Sequence, residues 1–187
     1  MQLTFIYHRG LRELTFNTTS IPLARALGQK LLLERAPLRP RGDQKRYVLV
    51  TPQIDALLDG HVLLGVFPDV GAETLIGKFS AGWLVTVSRK ITKRRPDVEQ
   101  IEGYDEVWAL CARKPPPGWR VLGRFYEKDV FVALRPWAKR DLFGKYPQAA
   151  QEVVDDWAEL FGAQHPHRGN ALGDYLSGVF EDVDKIT

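Results

Sequence analysis

The chain has 187 residues, 44% apolar and 26% charged, with one cysteine and a formal charge of +3. That length supports a core able to fold without staples, and the lone Cys111 excludes an internal disulfide framework. No run approaches the roughly 18 apolar residues of a membrane span, and MQLTFIYHRG lacks a charged lead before a long apolar core, so the sequence reads as soluble, cytoplasmic and without a membrane partner.

In chain order, the runs on either side of Arg9-Gly10 predict a hairpin within residues 3–16. Thr18 to Ser20 offer caps and Pro22 a first turn, and the spacing of Leu23, Ala26, Leu27, Leu31 and Leu32 predicts a helix over 21–35. Residues 36–45, rich in proline and charge, read as an exposed loop before a strand at 47–50. Thr51-Pro52 opens a short helix, 61–67 reads as a buried strand, and 72–90 as a short helix followed by a strand. KRRPDVEQIEGYD reads as a polar connection. From Asp105 the pattern becomes strand, proline loop, strand, tight turn, strand, polar connection and a helix from Pro147, with Ala150, Val153, Val154, Trp157, Leu160 and Phe161 on one face. The last residues either dock through Leu172, Tyr175, Leu176, Val179 and Phe180 or fray. The expected fold class is α+β, an antiparallel sheet with a C-terminal β-meander and flanking helices. Its expected divisions are an N-terminal α/β region over 1–100 of unassigned role, the meander plus helix over 101–162, and an acidic tail over 163–187.

Charge is unevenly spread. Residues 89–145 carry 14 Lys/Arg against 8 Asp/Glu, whereas 146–187 carry 2 against 8. A basic middle with an acidic tail fits either a polyanion-binding face or two parts of one fold that neutralise each other. The basic residues gather around the meander as Arg113, Lys114, Arg120, Arg124, Arg135, Lys139 and Arg140, with Tyr146 beyond them. Cations set around a sheet, with no carboxylate pair or metal-ligand set beside them, suit a phosphate-bearing partner. Other chemistry is set aside. His165 and His167 lack companions for a metal site, Phe79 stands where a phosphate loop needs Ser or Thr, and Cys111 in an apolar strand reads as a buried thiol. Neither a metal nor a cofactor is expected.

The order of elements over 104–161 resembles the RelE/HigB-like toxins of toxin–antitoxin systems. Gly118-Trp119-Arg120 looks like the family's opening of a central strand, Lys139-Arg140 like its lysine-arginine pair, and Tyr146 like its terminal tyrosine. The resemblance implies RNA or the ribosome as target, an acidic antitoxin as protein partner, and metal-independent endoribonuclease activity. Arg120 and Arg140 would then hold the phosphate, and Tyr146 would stack on a base or assist proton transfer, around one shared hollow. Arg113, Lys114, Arg124, Arg135 and Lys139 would add nucleic-acid contacts. The chain departs from the pattern at Ala109 and Cys111, where ribosome-dependent members often carry lysines, and over its first 100 residues. The alternative is a non-catalytic module of phage or mobile-element origin that binds nucleic acid or protein; a relative directed at a topoisomerase would share the same sheet. Each residue also has an ordinary role open to it: Arg120 pairing with Asp105 or Glu127, Arg124 and Arg135 coating a solvent face, Tyr146 packing on Ala150, and Trp119 and Trp137 lying in the core or at its rim.

Overall fold

The most apolar stretch of the sequence forms the centre of one sheet. Strands β5 (Trp108–Ala112), β6 (Trp119–Glu127) and β7 (Val130–Ala138) are antiparallel neighbours. Most of their side chains are buried, on both faces of the sheet. The computed structural model describes residues 21–35, 46–61, 67–90, 94–114, 116–178 and 180–185. The expected hairpin in 3–16 and the loop at 36–45 lie outside those residues, as does most of the strand expected at 61–67.

The remaining elements are α1 (Ile21–Gly28), β1 (Leu33–Arg35), β2 (Tyr47–Val50), α2 (Pro52–Leu58), α3 (Asp69–Ser80), β3 (Val85–Ser88), β4 (Val98–Gln100), α4 (Tyr146–Phe161), α5 (Leu172–Tyr175) and β8 (Phe180–Asp182). The eight strands form one sheet in the order β1-β2-β7-β6-β5-β4-β3-β8. The α+β expectation holds, but the antiparallel description is corrected: β2 runs parallel to β7, and β3 parallel to both β4 and β8. The meander is therefore the middle of a mixed sheet, flanked at one edge by strands from before residue 51 and at the other by β4, β3 and β8. The predicted helix over 21–35 is also shortened. It stops at Gly28, Lys30 takes a left-handed φ of 57°, and Leu33–Arg35 pairs with β2 as an edge strand. Glycine's poor helix propensity and the unpaired side of β2 both favour that break.

Alternation on the strands creates two cores. Val48, Val50, Val87, Val98, Leu110, Phe125 and Phe131 face α2, α3 and the segment around Tyr175. Leu49, Ala109, Leu122, Val132 and Leu134 face Leu23 and Ala26 of α1 and Ala149, Ala150, Val153, Trp157 and Phe161 of α4. The predicted face of α4 is the buried one, with Val154 and Leu160 at its margin. At Gly123 the β6–β7 register slips by one residue, and a Cβ there would sit 2.0 Å from the Val132 carbonyl oxygen. Only glycine permits that close strand approach.

The acidic tail docks. Tyr175 is fully buried among Trp108 and Phe125, and its hydroxyl donates to Glu106 at 2.7 Å. Burial and that bond push its pKa up to about 12. Arg46, also fully buried, donates twice to the Ser177 carbonyl, and Asp129 accepts from the Ser177 backbone N–H. Among the described residues no helix is long and apolar enough to cross a membrane.

Candidate nucleic-acid interface

Register on the sheet brings Cys111 of β5, Arg120 of β6 and Trp137 of β7 side by side on the face covered by α4. Arg120 is only 5% exposed, and its Nε donates to Glu99 Oε1 at 2.6 Å; Glu99, on β4, is itself buried. The acidic partner is thus neither Asp105 nor Glu127 but a residue from a strand two places away. Tyr146 opens α4 beside this pair. Burial raises its phenol above the ordinary tyrosine range and Glu99 adds to the rise, while Arg120 opposes it. Burial, reinforced by Glu99, likewise raises the Cys111 thiol, so the buried thiol foreseen from sequence is also poorly ionised.

The next arginine along β6 is treated the same way. Arg124 is 2% exposed, lies over the Trp157 ring at 5.5 Å, and donates through Nη2 to both the carbonyl and the carboxylate of Asp105, the latter at 2.7 Å. Burial lowers its pKa, an effect that Asp105 counters. Asp105 holds Arg168 as well, at 2.6 Å. On β7, Arg135 forms a two-pronged bond with Asp156 of α4, Nη2 to Oδ1 at 2.7 Å and Nε to Oδ2. Arg124 is buried and ties the 101–107 turn to the sheet, while Arg135, its side chain 40% exposed, ties α4 to β7 from a partly solvent-facing position.

At the end of the sheet the pattern changes. The β5–β6 loop carries Arg113 and Lys114, and the β7–α4 loop carries Lys139, Arg140 and Lys145. The Lys139 backbone N–H donates to the Gly118 carbonyl at 2.9 Å, which joins the two loops. Lys114, Lys139, Arg140 and Lys145 are exposed. Arg140 is 72% exposed and its Nε lies 3.4 Å from the neighbouring Asp141. Arg113 is half-buried. Its Nη1 lies 3.7 Å from Asp97, while Nε and Nη2 have no hydrogen-bond partner among the described residues. The β7–α4 loop is a succession of turns: Asp141 and Leu142 donate to the Ala138 carbonyl and Lys145 to Leu142, with Gly144 at a φ of +73°. Leu142 is fully buried, which turns the next side chain, Phe143, outward to 91% exposure.

The structure therefore brings Arg120 and Tyr146 together, with Glu99 and Cys111, but sets Arg140 outside that group. Arg120 is buried against Glu99, whereas Arg140 is exposed beside Asp141. Trp119 is buried edge-on to Phe67 at 5.2 Å, whereas Trp137 is partly buried at the margin of the second core. Three residues escaped the sequence reading: Glu99, Phe143 and Lys145. Glu99 lay within the stretch read as a connection, and its strand, Val98–Gln100, is too short for a sequence pattern to mark it. Searches against protein-family models, curated proteins and solved structures found no match. The likeness of residues 104–161 to RelE/HigB toxins rests on the quoted residues alone.

Proposed function

We propose that this chain is a RelE/HigB-like RNA-binding protein that grips the phosphate backbone with the loop end of its meander, through Lys114, Lys139, Arg140 and Lys145 and with help from Arg113. One observation carries this reading: the meander's cations divide into strand arginines already paired with buried or docked carboxylates and loop cations that face water on one end of the sheet. A positive rim of that kind attracts a polyanion and releases its counterions, the main source of sequence-independent affinity. It equally suits an acidic antitoxin-type protein competing for the same rim.

Binding is favoured over cleavage because Arg120 is neutralised by Glu99 before any phosphate arrives. A metal-independent endoribonuclease is the second reading, and one feature favours it: the Tyr146 phenol sits in the field of Arg120 and of a carboxylate, Glu99, that would supply the base missing at Ala109 and Cys111.

Anisotropy titration of labelled RNA across 50 to 200 mM salt, with the products run on a gel, tests both. Affinity should fall steeply with salt, and the Lys139→Ala/Arg140→Ala double variant should flatten the log–log slope by about 1.4, near 0.7 for each single-strand phosphate that is no longer neutralised. Unchanged affinity and slope in the folded double variant would overturn the binding reading. Cut products that disappear in Glu99→Gln would replace it with the nuclease.

A further inference from the structure

The β7–α4 loop carries a side chain that charge alone does not explain. Phe143 exposes 91% of its surface, the most of any large apolar residue described. Single exposed apolar residues are ordinary; this one is set apart by its support and its neighbours. Its backbone is pinned on both sides, by Leu142 packed into the core and by the bonds from Asp141, Leu142 and Lys145. Lys139, Arg140 and Lys145 lie within four residues of it, on the same turns. An aromatic ring carried outward on a pinned turn, within four residues of three cations, has the two parts of a single-strand nucleic-acid site: a π-face for a base, and charges to hold the phosphates on either side. A base inside a duplex is stacked on its neighbours and cannot present that face.

Resting on the RNA-binding reading above, we infer that Phe143 is a base-stacking platform and that the RNA bound at this rim is single-stranded. The turn fixes the backbone beneath Phe143, so only its side-chain torsions remain to be ordered on stacking. Because Phe143 bears no charge, its contribution is independent of salt, unlike that of Lys139 and Arg140.

The test compares a single-stranded RNA with a duplex of the same length, at one salt concentration, in the whole 187-residue chain. Phe143→Ala should weaken single-strand binding roughly 5- to 100-fold, leave duplex binding and the salt slope unchanged, and leave the thermal midpoint in place. Phe143→Tyr and Phe143→Trp should retain affinity. Phe143→Leu, apolar but without a π-face, should lose it. Equal loss on single strand and duplex, or full affinity in Phe143→Leu or in Phe143→Ala, would overturn the platform. If Lys139→Ala/Arg140→Ala still lowers affinity while Phe143→Ala does not, the platform fails and the RNA-binding reading stands; if the unaltered protein binds neither RNA, both fail. Sedimentation with vesicles containing an anionic phospholipid closes the remaining route: binding there that depends on Phe143, without an effect on RNA, makes the ring a membrane-surface anchor and overturns the proposal.

Discussion

The strand arginines and the loop cations belong to one meander and share residue types, yet they meet opposite electrostatic fates. Arg120, Arg124 and Arg135 each end on a carboxylate brought in by another element: Glu99 from β4, Asp105 from the turn before β5, and Asp156 from α4. Lys139 and Arg140, immediately beyond the end of β7, face water. Place in the sheet decides the difference. A cation on a strand covered by a helix loses its hydration and must be compensated, whereas one on a turn keeps its water and remains free to exchange it for phosphate. A count of arginines around the meander overstates the charge available to a partner, because the buried ones belong to the scaffold.

The sharpest way to break that contrast is to remove one half of the buried pair. Glu99→Ala leaves the Arg120 guanidinium in a dry site with no carboxylate, and should cost about 3–5 kcal/mol in urea unfolding. Replacing both residues, Glu99→Met with Arg120→Met, should recover most of the loss, since two apolar side chains of similar volume need no compensation. If Glu99→Ala unfolds at the same urea concentration as the parent, Arg120 is not the scaffold residue its burial implies.

That pair also marks the limit of what the sequence discloses. The meander was legible because its strands are long, apolar and separated by unmistakable turns. The final helix was legible because Ala150, Val153, Trp157 and Phe161 keep a helical spacing. By contrast, β4 and β8 are three residues each, too short for periodicity to register, and exist because β3 offers them hydrogen-bonding edges. Parallel pairing of β2 with β7 joins residues about 80 apart, and nothing local announces it. The candidate site follows the same logic. Residue type alone cannot tell whether an arginine will be paired when its carboxylate lies 21 positions away, as Glu99 does from Arg120. In Leu142-Phe143 two adjacent apolar residues point in opposite directions, and only the packing shows that leucine turns inward and phenylalanine outward.

A smaller effect is expected at Arg124, and it sharpens the comparison by grading it. Its carboxylate partner Asp105 is half exposed, so in Arg124→Met that acid rehydrates, while the methionine still packs on Trp157. The expected loss is about 1–2 kcal/mol, read from the same urea curves. A loss as large as that of Glu99→Ala would mean that Arg124 is as much a scaffold residue as Arg120, and the grading would fail. RNA affinity at fixed salt should stay unchanged in folded Arg124→Met, because the guanidinium does not reach the rim.

The smallest expected effect on stability falls on the loop cations, and it tests the contrast from its other side. Neither Lys139 nor Arg140 gives up hydration on folding, and the Arg140 pairing with Asp141 joins two exposed neighbours at 3.4 Å. Such a pair gains little Coulomb energy and is screened by salt. Lys139→Ala and Arg140→Ala should therefore each shift unfolding by no more than about 0.5 kcal/mol, while Lys139→Ala should leave the backbone bond from residue 139 to Gly118 intact. A shift of about 2 kcal/mol or more in either would show that the rim also holds the fold together. Its cations would then belong with the strand arginines, and weaker RNA binding in those variants could no longer be assigned to the phosphates.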